Sequence, residues 1–348
     1  MSRDRDIAAF LGRLGYGAAT VAPLAQDASF RRYLRITGGP RPAVLMDAPP
    51  PEDIAGFLRI DAHLASAGLS VPEVLGVDEA AGLLLEEDFG DALFPAVAEQ
   101  ARVPDMAAWA PMFDAAVDAL VAMQRAAPPS GLPDWQAPQM SATALGTLLD
   151  WWWPAMFAAP APPAARQDFT DALADMLAPV AAGPVGFVHR DFFAGNLIWL
   201  PDRTGLRAAG VLDFQGAGLG HPAYDLASLV QDARRDFPPG LPERAVARYL
   251  RARPEVDGPA FEAAFIACAA QRHLRVAAQW VRLARRDGRP GYLAYGPRTW
   301  RLLGEALKHP AAAALARAMD RWIPIERRAN PPASNGIAST EIVSEPTV

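Results

Sequence analysis

A chain of 348 residues, 51% hydrophobic and 21% charged, is long enough for two lobes with real cores. A net charge of −6 argues against a broad basic surface and so against a nucleic-acid binder. The apolar stretches break short of the ~20 residues of a membrane span, Met1–Asp6 has acids where a leader has none, and Cys268, the single cysteine, rules out an intrachain disulfide, so a cytoplasmic protein without membrane or nucleic-acid partners is expected.

The first ~90 residues read as a short helix and a small antiparallel sheet. Strand-like runs lie at Thr20–Ala25, Phe30–Ile36 and Ala43–Asp47, the last two joined by turn chemistry at Thr37–Pro42. Pro49-Pro50-Pro51 halts the third strand, and Glu52–Ala67 has helical spacing of Ile54, Phe57, Leu58 and Leu64, ending at Gly68. Two further strands are predicted at Glu73–Val77 and Leu83–Glu87, and Asp88-Phe89-Gly90-Asp91 marks a boundary. Beyond it the pattern is mainly helical, with a loop of Ala and Pro at Ala158–Ala165. Pro184–Asp213 is the exception: short apolar runs at Val185–Val188, Leu197–Leu200 and Ala208–Leu212 predict a β-hairpin turning at Pro201–Gly205. Asn330–Val348, rich in Pro, Ser and Thr, reads as a disordered tail. The expected fold class is therefore α+β: a small β-rich N-lobe (1–88), a larger mainly helical C-lobe (89–328) and a tail (329–348).

The chemistry-bearing residues sit on that inserted hairpin: His189-Arg190-Asp191-Phe192-Phe193-Ala194-Gly195-Asn196, then Asp213-Phe214-Gln215. Phosphoryl transfer from ATP needs a carboxylate for the acceptor hydroxyl's proton, oxygen ligands for Mg²⁺ and positive charge on the phosphates. Asp191 can be the first. Asn196, the only asparagine before the tail, and Asp213 supply a neutral and an anionic oxygen. A hairpin brings all three to one end, and the spacing is that of H-R-D-x-x-x-x-N followed by a D-F-G-like site.

These residues make the chain similar to the aminoglycoside phosphotransferase family, whose fold is that of the protein kinases. Within it, Asp27–Tyr33, Met46–Pro50, Leu83–Gly90 and Pro222–Leu229 resemble the bacterial anomeric kinases of N-acetylmuramate and N-acetylglucosamine. The resemblance covers roughly residues 5 to 325. It implies a two-lobed protein-kinase-like fold with Asp191 as catalytic base, Asn196 and Asp213 as Mg²⁺ ligands, and His189 and Arg190 as supports. It makes Asp225 a brace of the catalytic loop and Glu86-Glu87-Asp88 a hinge whose backbone pairs with adenine. It also implies a small-molecule sugar substrate, phosphorylated at the anomeric hydroxyl for cell-wall recycling, and a nucleotidyltransferase acting on the product.

The chain departs from the kinase pattern in the N-lobe. The lysine of V-A-I-K has no counterpart in Ala43-Val44-Leu45-Met46, and the chain's one lysine is Lys308. No Gly-rich loop is present either; Gln26-Asp27-Ala28-Ser29 lies between the first two strands. Arg31 or Arg32, on the strand beside this loop with Ser29, is expected to contact the phosphates, one rather than both because they alternate faces. Solvated arginines, a kinase for an aminoglycoside, choline or homoserine, and a non-catalytic pseudokinase are the competing readings. Trp151-Trp152-Trp153 could form a sugar platform or belong to a core. His221 could face the acceptor or pack a loop; His63, His273 and His309 look structural, and Arg282–Arg286 reads as a solvent-facing helix surface.

Overall fold

The computed structural model describes residues 3–24, 31–100 and 106–331. These form two compact units, one of residues 1–134, 184–232 and 237–258, the other of 135–183, 233–236 and 259–348. The expected β-rich first part, helical second part and inserted hairpin are all present.

The first unit begins with helix α1 (Arg3–Arg13), followed by strands β1 (Thr20–Pro23), β2 (Arg32–Thr37) and β3 (Ala43–Asp47). Helix α2 (Ile54–Ser66) precedes β4 (Val74–Asp78) and β5 (Leu83–Glu87). Among the described residues these strands make one antiparallel sheet in the order β1-β2-β3-β5-β4. Alternation divides its faces. Ile36, Ala43, Leu45, Leu83 and Leu85 point one way and pack on Ile7, Phe10 and Leu11 of α1 with Tyr16. The register sets Tyr33 beside Met46 and Val44 beside Glu86, so these residues point the other way with Leu84. β3 and β5 match their predicted bounds. Ala25 and Phe30, at the ends of the first two predicted strands, lie outside the described residues.

Helix α2 is capped by Asp53, whose carboxylate accepts from Gly56 N at 2.7 Å. A Cβ at residue 56 would sit 2.1 Å from that carboxylate, so glycine there permits the cap. α2 also ties the sheet to the hairpin region: Phe57 lies against Phe214 (centroids 4.8 Å) and His63 against Phe187 (5.1 Å). Just beyond α2, Ser70 O accepts from Val211 N at 2.8 Å, adding the chain to the hairpin's edge.

The helix Met106–Arg125 is long and apolar enough to cross a membrane, contrary to the expectation from the apolar runs. Here Trp109, Phe113 and Leu120 are buried, and Asp114 and Asp118 pair with Arg244 (3.1 Å) and Arg248 (2.8 Å) of the helix Leu241–Ala252. A core helix of this unit accounts for its composition.

The second unit is helical. A π-helical turn, Gly146–Trp152, continues into Trp153–Phe157, and the helix Pro163–Met176 starts inside the predicted Ala/Pro loop. Trp152 is fully buried, 5.2 Å from Trp300, and donates to Ala329 O at 2.8 Å; Trp153 is buried as well. These two tryptophans are core residues, while Trp151 is half-buried with Arg282 over its ring. Asn330, placed in the tail by composition, accepts from Trp300 Nε1 at 3.0 Å. Residues 332–348, the rest of that predicted tail, lie outside the described residues.

Candidate active site

The strands Leu197–Trp199 and Ala209–Val211 pair with Leu197 opposite Val211. Their flanking residues are thereby brought together, and Leu212 N donates to Asn196 O at 3.0 Å. Asn196 Nδ2 then donates both to the Asp191 carbonyl (3.0 Å) and to Asp213 Oδ2 (3.3 Å). The three residues singled out by spacing are adjacent, with Asp191 and Asp213 exposed to solvent. Gln215, the third residue of the second motif, donates from Nε2 to Asp213 Oδ1 at 2.6 Å.

Two residues here hold a left-handed backbone that costs a side-chain-bearing residue about 1–3 kcal/mol: Arg190 at φ 73° and Asp213 at φ 60°. Both are held by surrounding bonds. The fully buried Asp225 accepts from His189 N (2.7 Å) and Arg190 N (2.9 Å). It braces the loop backbone as the sequence suggested. Arg190 Nη1 donates to Gly216 O at 3.0 Å. Burial lowers the pKa of His189 to about 4, so the imidazole is neutral, and its Nε2 donates to Leu212 O at 3.1 Å. Gly195 is required by a close approach, since a Cβ there would stand 2.6 Å from the Phe193 ring.

The donor set suits a hard cation held mainly by phosphates and water: one carboxylate and one amide oxygen source, Asp213 and Asn196. Among the described residues no group of three or more His, Cys, Asp or Glu gathers to hold a metal by itself.

At the start of β2 the two arginines diverge: Arg31 precedes the strand and Arg32 opens it. Arg32 and Arg3 both bond the buried Asp47, which fixes α1 to the sheet. Arg31, 7% exposed, donates from Nε to Glu52 Oε2 at 2.7 Å and lies over the Phe57 ring. Ser29 lies outside the described residues.

Glu86 is paired on both flanks, opposite Val44 and Val74, and its side chain is buried. Burial, then the charge of Asp61, raises its pKa to about 8 against the opposing effect of Arg31. Asp61 on α2 is raised to about 6 by burial. Asp88 is held by Arg35 Nε at 2.7 Å and accepts from Gly90 N at 2.8 Å, while Arg203 holds Glu87 at 2.8 Å. The connection leaving the sheet is thus clamped from two sides.

The tempting histidines are structural. His221 is buried, its pKa lowered to about 4, and its Nδ1 accepts from Ala223 N at 3.1 Å; His309 Nδ1 accepts from Ala311 N at 3.1 Å. Within Arg282–Arg286, Leu283 is buried and the pKa values of Arg282 and Arg285 are lowered by burial, so that run is only partly a solvated surface.

Residues 20–265 match the model of the phosphotransferase enzyme family. An N-acetylmuramate/N-acetylglucosamine kinase of Caulobacter vibrioides is 37% identical, over 94% of this chain and 98% of that protein. A choline/ethanolamine kinase family protein of Mesorhizobium loti has a similar solved structure, with a TM-score of 0.62 at 17% identity. That match covers 92% of this chain and 100% of the other. A thermostable mutant of the aminoglycoside phosphotransferase APH(4)-Ia, solved with ADP and hygromycin B, gives 0.57 at 17% identity, over 84% and 96%.

Proposed function

We propose that this chain, a kinase that belongs to the phosphotransferase enzyme family, moves the γ-phosphate of ATP to the anomeric hydroxyl of N-acetylmuramate and/or N-acetylglucosamine. The observation that carries the phosphotransfer reading is the bridging amide of Asn196, which joins the Asp191 loop to Asp213. The relative from Caulobacter vibrioides supports the choice of acceptor.

In this reading Asp191 accepts the proton as the hydroxyl oxygen bonds to the γ-phosphorus, and the bond to the bridging oxygen of ADP breaks. An anomeric hydroxyl is more acidic than an ordinary alcohol, so a positioned carboxylate is an adequate base. Asn196 and Asp213 would hold Mg²⁺, which neutralises charge on the phosphates. Asp225, His189 and Arg190 hold the loop so that little reorganises during transfer. Of the Glu86–Asp88 hinge, Glu86 and Glu87 are paired within the sheet, so the backbone that pairs with adenine is at its Asp88 end. Arg31 is the phosphate-contacting arginine of the pair, since Arg32 is committed to Asp47. The product, a sugar 1-phosphate, suits a nucleotidyltransferase and cell-wall recycling in the cytoplasm.

The test is ADP release with MgATP across N-acetylmuramate, N-acetylglucosamine, kanamycin, choline and homoserine, followed by locating the phosphate. Turnover of the amino sugars with phosphate at C1 is expected. Turnover of another acceptor alone would overturn the sugar assignment, and nucleotide binding without any turnover would favour a binding module.

A further inference from the structure

Protein kinases hold the nucleotide phosphates with a lysine on the third strand, itself fixed by a carboxylate from the neighbouring helix. Here the strand position carries Met46, fully buried, which can neither donate a hydrogen bond nor carry charge. The sheet register shows what stands next to it. Tyr33 of β2 is directly opposite Met46, and Arg31 stands two residues earlier, just before the strand begins. Arg32 is opposite Asp47 and points the other way.

Arg31 meets its carboxylate from an unexpected place. Glu52 stands immediately before α2, where Glu52 N donates to Pro49 O at 3.2 Å and Asp53 caps the helix. That turn and cap fix Glu52 against Arg31 Nε at 2.7 Å, with 8% of the arginine side chain and 24% of the glutamate side chain exposed. The bond is made on the stem nitrogen of the guanidinium. Phe57, one turn into α2, lies under the same guanidinium (5.9 Å) and touches Phe214, the neighbour of Asp213. The Tyr33 hydroxyl donates to Met46 Sδ at 3.5 Å on the same face. Arg31, its carboxylate and the Asp213 end of the hairpin therefore form one continuous patch.

We infer that Arg31 and Glu52 together replace the missing lysine–glutamate pair, with Glu52 acting as the positioning residue that aims Arg31 at the nucleotide phosphates. This rests on the kinase reading above and joins Arg31, near the end of the Asp27–Tyr33 stretch, to Glu52, just beyond the Met46–Pro50 stretch. Glu52 neutralises part of the charge of Arg31 while fixing its direction. Its loss should weaken phosphate binding only because Arg31 is misplaced.

The experiment measures MgATP and MgADP dissociation constants by calorimetry, and KM and kcat with an N-acetylated amino sugar, for wild type, R31A, R31K, E52Q, E52D and the R31A/E52Q double variant. Thermal unfolding checks that each is folded; R31K and E52D provide milder changes should R31A or E52Q fail to fold. Expected are a roughly tenfold rise in KM for ATP in E52Q with the KM for sugar unchanged, and a larger rise in R31A. The double variant should be no worse than R31A, and E52D should recover part of the loss. Unchanged nucleotide affinity in E52Q, or additive losses in the double variant, would overturn the inference while leaving the kinase reading intact. A wild-type protein that binds MgATP but turns over no amino sugar would overturn the acceptor assignment, with the inference still decided by the dissociation constants. A wild-type protein that binds no MgATP would overturn both.

Discussion

Replacing Glu86 by glutamine removes a carboxyl group that the buried sheet face solvates poorly, and the consequence is a change in how stability depends on pH. In the unfolded chain the group ionises near 4.5; in the folded chain burial and the charge of Asp61 hold it protonated to about pH 8, against the pull of Arg31. Between those values the folded state binds the extra proton. Its contribution is therefore full below about pH 4.5 and is lost as pH rises toward 8. At ~1.4 kcal/mol per pH unit the whole displacement corresponds to about 5 kcal/mol, and relaxation around the group reduces this to a few kcal/mol. Glutamine keeps the shape without the ionisation. The assay is thermal unfolding of wild type and E86Q without nucleotide, from pH 5 to 9. The two should melt together at pH 5, and E86Q should melt several degrees higher at pH 9. Parallel curves across the range would refute the reasoning, because they would mean that Glu86 is ionised throughout or finds a compensating partner.

Asp191→Asn should lower kcat by about a thousandfold or more while leaving MgADP affinity near that of wild type, measured by calorimetry beside steady-state turnover. Asp225→Ala should leave the buried His189 N–H and the part-buried Arg190 N–H without their carboxylate, at a cost of about 3–5 kcal/mol, seen as a fall in melting temperature together with loss of turnover. His189 and His221 (each about 4) and His273 (about 3) are buried and neutral, so their contribution to stability should be complete above about pH 6.5 and be lost as pH falls toward 3–4. Acid titration followed by fluorescence checks this, and His189→Gln should weaken the dependence.

The parts of the site that were legible share one property: their partners are close in sequence and joined by a hairpin. Asp191, Asn196 and Asp213 meet because a hairpin of antiparallel strands returns the chain to its start, so spacing alone predicts their meeting. β3 and β5 were readable for a related reason, since each is a short apolar run bounded by turn residues. The helix Met106–Arg125 has the composition of a buried core helix and of a membrane span alike, and the burial of Trp109, Phe113 and Leu120 with the pairing of Asp114 and Asp118 to Arg244 and Arg248 separates them. Trp152 and Trp153 were ambiguous in the same way, because aromatic residues at helical spacing fit a core and a sugar platform alike.

The Arg31–Glu52 pair was hidden by a different cause. Its members are 21 residues apart, on opposite sides of two complete strands, and no periodicity links the end of a loop to the residue before a helix cap. Alternation did predict that Arg31 and Arg32 would separate, but not which would be drawn to which carboxylate. That choice depends on register: Asp47 is opposite Arg32 and captures it with Arg3, which leaves the other face, and Glu52, to Arg31. A one-residue slip between β2 and β3 would exchange the two roles, because every side chain of the strand would change face. Which arginine meets Glu52 is thus a property of strand pairing, fixed by the apolar contacts of Ile36, Ala43 and Leu45 with α1 on the far side of the sheet.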